Sequence, residues 1–215
     1  MKYEITNEAH PDNPNLRRIK ALRDFGDVKK GDLGGYIESE ENLSHDGDAW
    51  VYGNAWVYGN AKVYGDAWVY GFAKVSGDAW VYRNAWVCGN AKVYGNAEVY
   101  GDALVSDNAL VYGNARVSDN ALVYEDAWVY GNAKVYGNAE VYGDAKVSGD
   151  AWVYGDAWVY RNARVYGGAV LSWNAVVSGD TVVSGDTVVS GDTEEPVSQF
   201  PNEITIDGVV YVKKA

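Results

Sequence analysis

Apolar residues recur at every sixth position through the middle two thirds of this chain. Valine stands at position 51 and at each sixth position to 189, with Leu171 as the exception. A small residue, alanine or threonine, stands two positions before each of them. Since side chains alternate between the two faces of a strand, Ala49 and Val51 point to one side and Trp50 and Tyr52 to the other. The pattern predicts a series of short strands whose Ala and Val face a core and whose variable residues face outward.

Corners follow the strands at the same interval. Most units carry Gly and then Asn or Asp after the outward residue, as in Gly53-Asn54. Glycine adopts positive φ freely, and Asn and Asp tolerate it best among the other residues. Six residues thus make one strand and one corner, and three units close an 18-residue triangular coil. A repeat this short cannot bury its own apolar side, so it predicts a three-sided parallel β-solenoid of about eight regular coils.

The spacing of aliphatic and small residues resembles a known superfamily. Val51 is followed four positions later by Ala55, as in the hexapeptide-repeat, left-handed parallel β-helix superfamily. The resemblance runs from residue 48 to residue 193 and implies a left-handed coil. Gly53 departs from the pattern, because the superfamily often has its glycine one residue nearer the aliphatic position. Residues 21–39 also resemble the N-terminal cap of hexapeptide-repeat proteins of bacteria and prophages, which are often labelled acyltransferases.

The N-terminal flank, residues 1–46, lacks the regular period and is predicted to be a cap with an irregular first coil. Within it, residues 16–22 fit a strand or a short helix, since their apolar spacing suits both. Leu33, Ile37 and Leu43 fall in register with the inward positions of the repeat. The open end of a solenoid is an unpaired β edge, so a cap is physically required there.

The regular solenoid is predicted over residues 47–193, and residues 194–215 are predicted to cap its other end. Residues 204–212 place strand-forming residues on both sides of Asp207-Gly208. This dipeptide favours a two-residue hairpin turn. The C-terminal cap is therefore expected to contain a β-hairpin.

Composition excludes several classes of partner. The net charge of −12 argues against nucleic acid and against anionic membranes as partners. We expect no signal peptide, since residues 1–15 are polar, and no membrane span, since no apolar run is long enough. Cys88 is the single cysteine, so disulfides have no role. We therefore expect a cytoplasmic protein, located in a bacterial host if the gene belongs to a phage.

Candidate catalytic residues are scarce. In the resembled superfamily, acyltransferases use a His as general base and carbonic anhydrases bind zinc with three His, whereas this chain has only His10 and His45. His10 lies in a proline-containing segment that indicates a solvated polar loop, and His45 fits a hydrogen-bonded structural residue. The loops that the superfamily's enzymes insert between coils are missing too. We expect no enzymatic activity, no metal and no cofactor.

The Asp and Asn column at each corner has a structural interpretation. Stacked amides can hydrogen-bond along the rod, and the mixture of Asp with Asn limits repulsion between like charges. A calcium site is the alternative, but the nonapeptide pattern of calcium-binding β-rolls is not present. The sequence favours the structural ladder.

The outward aromatic residues are the strongest candidates for a binding surface. Eight of the nine Trp precede a core valine and fifteen of the eighteen Tyr follow one. Such columns stabilise stacked strands, but soluble monomers rarely expose large apolar patches. Sorted by the 18-residue coil, the first of three faces has no Lys or Arg in its Trp column. The predicted binding residues on this face are Trp50, Trp68, Trp86, Leu104, Leu122 and Trp158.

Three classes of function remain. The favoured one is a non-catalytic scaffold or protein-interaction module, phage-encoded or bacterial, that self-associates or binds a protein through the aromatic face. The second is an acyltransferase-like hexapeptide enzyme, against which the missing His and loops count. The third is an acidic phage inhibitor of a host defence protein, whose phosphate-like surface the interspersed lysines would dilute.

Overall fold

The computed structural model describes residues 1–191 and two further strands, Glu203–Ile206 and Val209–Val212. Through residues 1–191 the chain forms an all-β parallel solenoid of about nine turns with three parallel sheets. Antiparallel strands cap its N-terminal end. The three-sided solenoid predicted from the six-residue repeat is confirmed.

Each of the three sheets forms one face of the rod, and strands 18 residues apart pair in parallel. The first face consists of Trp50–Val51, Trp68–Val69, Trp86–Val87, Leu104–Val105, Leu122–Val123, Glu140–Val141, Trp158–Val159 and Val176–Val177. The second face consists of Trp56–Val57, Lys74–Val75, Lys92–Val93, Leu110–Val111, Trp128–Val129, Lys146–Val147, Arg164–Val165 and Val182–Val183. The third face consists of Lys62–Val63, Trp80–Val81, Glu98–Val99, Arg116–Val117, Lys134–Val135, Trp152–Val153, Val170–Trp173 and Val188–Gly191.

The core is a stack of Ala and Val contributed by all three faces. From Ala49 to Val165 these two residues are fully or almost fully buried in every unit. Backbone bonds join each coil to the next, as Trp68 donates its N–H to the carbonyl of Ala85 at 2.9 Å. The inward and outward assignment made from the sequence is correct here. Each coil buries its apolar side only against its neighbours, as a solenoid requires.

The corners follow the predicted backbone. Gly65 has a φ of +71, and a Cβ at this position would lie 2.8 Å from the backbone N of Arg83 in the next coil. Arg83 itself keeps a positive φ without being glycine, at a cost of about 1–3 kcal/mol. The non-glycine residues with positive φ are Arg83, Asp107, Asp119, Glu125, Arg161 and Trp173.

The N-terminal cap is a three-stranded antiparallel extension of the second face. Strand β1 (Tyr3–His10) pairs with β2 (Asn13–Ala21), and β2 pairs with β3 (Leu33–Ile37). Leu16 and Ile19 in β2 are both buried although they are three residues apart. A register shift between Arg18 and Lys20 makes this possible. Residues 16–21 are therefore extended and not helical, with Leu22 in the bend that follows, and the irregular register explains why their spacing resembled a helix.

The irregular first coil departs from the predicted register. Ile37 and Leu43 enter the core as expected, but they pair in parallel with Val57 and Val63, which lie 20 and not 18 residues later. Leu33 is instead 56% exposed. Leu33 lies at the start of β3 opposite Lys20 of β2, before the parallel pairing of β3 with Trp56–Val57 begins at Tyr36, so no solenoid strand covers it. A short 3-10 helix, Glu40–Asn42, turns the chain between Ile37 and Leu43.

Hydrogen-bonded ladders of Asn side chains run along the corners, as predicted. In each step the Nδ2–H of an Asn donates to the side-chain Oδ1 of the residue 18 positions later, at 2.8–3.2 Å. The runs end at Asp78, Asp102, Asp126, Asp150, Asp156 and Asp180. A carboxylate accepts but has no proton to pass on, so it terminates the run.

The two described C-terminal strands pair antiparallel, with Ile206 opposite Val209. This agrees with the hairpin expected there. The predicted turn residues, Asp207 and Gly208, and the remaining residues of 192–215 lie outside the described residues. In the part of the chain that the structure describes, no helix is long and apolar enough to cross a membrane.

Candidate functional site

An apolar strip follows the first face of the rod. The rings of Trp68 and Trp86 stack with centroids 5.6 Å apart and planes 5° apart, and Trp86 is 44% exposed. Leu104 and Leu122 continue the same column in direct register and are half-buried. We call these four residues the apolar strip. At one strand spacing per coil the strip is about 14 Å long.

Trp50 does not belong to the exposed strip, although the sequence placed it there. It points outward from the first face, but it is fully buried beneath the N-terminal cap. The ring of Phe25 lies 5.3 Å from it and the ring of Tyr3 lies 6.0 Å from it, both edge-on. Because the end of the solenoid must be covered, the cap uses this indole as its contact and removes it from solvent.

Trp158 is also separated from the strip. Glu140 lies between Leu122 and Trp158 in the column, and its carboxylate accepts a 3.0 Å hydrogen bond from the hydroxyl of Tyr124. Trp158 is 45% exposed beyond this charge. Of the six predicted binding residues, the structure brings together Trp68, Trp86, Leu104 and Leu122, whereas it separates Trp50 and Trp158 from them.

A groove of about 450 Å³ opens where the strip meets the cap. Tyr52, Trp68, Tyr70 and Trp86 line it from the first face, and Asp27 lines it from the cap. The contribution of Asp27 was not foreseen, because it depends on the path of the cap over the rod. Asp27 therefore places a carboxylate at the end of the strip near the cap, and Glu140 places a second carboxylate at its other end.

Tyr70 in the groove wall and the neighbouring Cys88 are held in their neutral forms. Burial, together with a hydrogen bond to Cys88, raises the pKa of Tyr70 to about 12. Burial also raises the pKa of the Cys88 thiol above its usual value. Tyr70 and Cys88 are therefore uncharged at neutral pH, and Cys88 is a poor nucleophile because it remains protonated.

Lysines cover tryptophans on the other two faces. The ammonium of Lys74 lies 3.6 Å from the ring centre of Trp56 on the second face. Similar contacts at 4.3 Å join Lys146 to Trp128 on the second face and Lys134 to Trp152 on the third. Among the described residues, no cation contacts Trp68 or Trp86 in this way. The absence of Lys and Arg from the first face thus leaves its tryptophans without the covering cation that others have.

The two histidines have local contacts. Nδ1 of His45 accepts the backbone N–H of Lys2 at 3.2 Å, and its ring stacks on Tyr3. The predicted hydrogen bond of His45 is therefore present at Nδ1, while its Nε2 is buried without a hydrogen-bond partner. His10 lies at the end of β1 rather than in a solvated loop, with its ring against Tyr36 and Trp56. Among the described residues, no group of three His, Cys, Asp or Glu side chains is placed to hold a metal ion.

A longer internal repeat distinguishes the region near the cap. Residues 55–94 and 127–166 are identical at 32 of 40 positions, which is an offset of four coils. This longer repeat is found by comparing coils that lie 72 residues apart, and it is not visible from the six-residue period alone. Trp68 corresponds to Glu140 and Phe72 to Asp144, so the copy near the cap carries aromatic residues where the other carries carboxylates. A residue in one unit of the repeat can therefore be compared with its equivalent in the other unit.

Comparison with known proteins supports the type of repeat. A family model described as the YdcK beta solenoid repeat matches residues 55–71 and 115–131, each about one coil long. The match is consistent with a β-helix superfamily and agrees with the solenoid described above. No curated protein matches this chain.

Proposed function

We propose that this protein is a non-catalytic β-solenoid scaffold that associates with a second copy of itself through the apolar strip. The observation that carries the proposal is the stacked, uncovered pair Trp68 and Trp86, continued by Leu104 and Leu122. Trp56, Trp128 and Trp152 on the other faces have lysine ammonium groups on their rings, which keep a polar group at the surface, whereas Trp80 is exposed but has no second tryptophan stacked in its column. The strip has no such protection, and exposed apolar surface of this kind marks interaction sites.

The arrangement of the strip favours a second copy as the partner. Its four positions are evenly spaced, with two large residues followed by two smaller ones. A twofold axis between Trp86 and Leu104 would place Trp68 against Leu122 of the second copy and Trp86 against its Leu104. Large residues then meet small ones, which is the self-complementarity that a twofold interface requires. Each Å² of apolar surface removed from water contributes about 25 cal/mol before the costs of association.

The net charge of −12 opposes this association, since both copies carry it. Salt screens repulsion between exposed charges. Association through an apolar strip should therefore strengthen as ionic strength rises, whereas association through ion pairs would weaken.

The proposal is tested by the mass of the protein in solution. Sedimentation equilibrium at high micromolar concentration should give a dimer for the natural chain and a monomer for the Trp68→Lys, Trp86→Lys variant. The matched control is Trp80→Lys, Trp152→Lys on the third face, which changes the net charge equally and replaces two tryptophans that are 43% and 42% exposed, close to the 44% of Trp86. The control should remain dimeric. A monomeric natural chain, or equal behaviour of the two variants, contradicts the proposal.

The non-catalytic part of the proposal rests on the engaged position of His45 and on the uniform coil length. Nδ1 of His45 is already hydrogen-bonded, and the regular coils from residue 48 to residue 189 contain no inserted loop. Acetyl-coenzyme A should show neither saturable binding nor turnover. If His45→Ala removed a measurable transfer activity while the fold persisted, the acyltransferase alternative would replace this one. Membership of the left-handed hexapeptide superfamily is likewise proposed from the repeat pattern.

A further inference from the structure

A second concave site lies where the tip of the β1–β2 hairpin meets the second face. Its volume is about 620 Å³. The hairpin contributes His10 and Asp12, and the second face and the corner beside it contribute Trp56, Lys74, Lys92 and Phe72. This site is separate from the apolar strip and does not depend on the function proposed above.

Two lysines supply positive charge to this cavity. Lys74 and Lys92 are directly opposite one another on neighbouring strands. Like charges in such a pair repel, so the arrangement is unfavourable unless an anion lies near both. The ion pairs among the described residues involve Arg18, Lys29 and Arg116, and neither of these two lysines has a carboxylate partner there.

His10 is fixed at the edge of the cavity. Its ring packs edge-on against Trp56 with centroids 4.4 Å apart, and its Nδ1 accepts the backbone N–H of Asp12 at 3.1 Å. Because Nδ1 is the acceptor, the proton of the neutral ring is on Nε2. The hairpin tip is thereby held against the aromatic surface on which Lys74 also lies.

Phe72 is the residue here that the repeat does not explain. The other members of its corner column are all Asn or Asp: Asn54, Asn90, Asn108, Asp126, Asp144, Asn162 and Asp180. Phe72 is 61% exposed and interrupts the hydrogen-bonded ladder, because it has no side-chain group to accept from Asn54 or donate to Asn90. An exposed phenyl ring at the mouth of a cationic cavity offers a stacking surface.

Residues 127–166, the second unit of the internal repeat, contain an equivalent cavity that lacks Phe72 and the hairpin tip. There Trp128, Lys146 and Arg164 form the same column, with Asp144 in place of Phe72. That cavity, of about 540 Å³, is also lined by Asp126 and Asp180, so its two cations lie among three carboxylates. The cavity near the cap has two cations and one carboxylate, Asp12. Beside the corner column, only the cavity near the cap therefore has an excess of positive charge. Lys146 and Arg164 also line a neighbouring cavity of about 610 Å³ whose lining residues include no carboxylate, so their replacement tests for a general effect of positive charge.

We propose that the cavity near the cap binds an anionic small molecule that carries an aromatic ring. The phosphate or carboxylate of the ligand lies between the ammonium groups of Lys74 and Lys92, and its ring stacks on Phe72. The anion relieves the repulsion between the two lysines. His10 closes the side of the cavity that faces the hairpin.

Isothermal titration calorimetry with phenyl phosphate tests the proposal, with inorganic phosphate as the probe that lacks a ring. The natural chain should bind phenyl phosphate saturably below about 10 mM. Binding should weaken at least about tenfold in Lys74→Gln, Lys92→Gln and should change less than about twofold in the matched control Lys146→Gln, Arg164→Gln. Phe72→Asp should also weaken the binding of phenyl phosphate about tenfold. This variant places at position 72 the residue found at the equivalent position 144 of the internal repeat, so it suits the fold.

Three results would overturn the proposal. The first is no saturable heat with phenyl phosphate on the natural chain. The second is an equal loss in the two double variants, which indicates a general effect of charge. The third is an affinity for inorganic phosphate equal to that for phenyl phosphate, together with unchanged binding by Phe72→Asp. That result would show that the aromatic ring of the ligand contributes nothing to binding. Far-ultraviolet circular dichroism of each variant shows that the fold is intact.

Discussion

Asn114 donates its side-chain Nδ2–H to Oδ1 of Asn132, one coil further along the rod, at 2.9 Å. It also accepts a bond of 3.0 Å from Asn96, and Asn132 in turn donates to Asp150. The run therefore has a direction, from an Asn that only donates to an Asp that only accepts. The order of Asn and Asp along the corner sets where each run stops.

This direction predicts that Asn and Asp are not interchangeable within a run. Asn114→Asp should lower the free energy of unfolding by about 1 kcal/mol, because it loses the donated bond and places a carboxylate against the carbonyl oxygen of Asn132. Asp150→Asn should change it by less than about 0.5 kcal/mol, since the residue still accepts from Asn132. Urea unfolding of the two variants measures the difference. Equal effects would mean that the ladder contributes nothing directional.

The inward and outward register predicts a second contrast between adjacent residues. Val117 is fully buried between coils, and Val117→Asp would bury an unpaired carboxylate at a cost of several kcal/mol or open the rod locally. Arg116 faces outward and forms a half-exposed ion pair with Glu98 at 3.1 Å. Such pairs contribute about 0–1 kcal/mol, so Arg116→Ser should cost no more than that.

Thermal or urea unfolding followed by circular dichroism compares these two variants. A tolerated Val117→Asp beside an unfolded Arg116→Ser would show that the register is inverted. The apolar strip would then belong to the core, and the proposed self-association would fail with it.

The regular part of the fold was predictable because each local preference is repeated in every unit. The Val51 position, the Ala55 position and the Gly53 corner all indicate the same coil, and the neighbouring coils reinforce that choice. The Asn ladders followed from the same stacking argument. The direction of the ladders was not predicted, because it depends on which side-chain atom of each Asn faces the next coil.

The cap and the candidate sites were less predictable, because they depend on the path of non-repetitive chain. Trp50 has the same local sequence as Trp68, and only the cap, which places Phe25 and Tyr3 against it, makes it buried. The exposure of Leu33 and the bulge in β2 likewise arise from antiparallel pairing that has no period. The departure of Phe72 from its column was visible in the sequence, but its place beside the hairpin tip was not.

The last prediction concerns Lys2, a charged residue buried in the cap. Its Nζ donates to the carbonyl of Ala49 at 2.7 Å and to that of Gly47 at 3.3 Å. Burial lowers the pKa of Lys2 to about 8, against the opposing attraction of Asp48. Below pH 8 the lysine is charged in both the folded and the unfolded chain, so the full cost of burying the charge applies. Between about pH 8 and pH 10.5 the folded chain loses this proton while the unfolded chain keeps it, so stability rises with pH.

The free energy of unfolding should therefore increase for the natural chain relative to Lys2→Met as the pH is raised from 7.5 to 9.5. After allowance for solvent screening, we expect a relative gain of about 1 kcal/mol. Lys30→Met is the matched control, since it removes an exposed lysine from the same cap and should show no comparable gain. Urea unfolding at several pH values measures the three chains side by side. A constant difference between the natural chain and Lys2→Met would show that Lys2 keeps its proton in the folded cap, and that its carbonyl partners compensate for burial throughout this range.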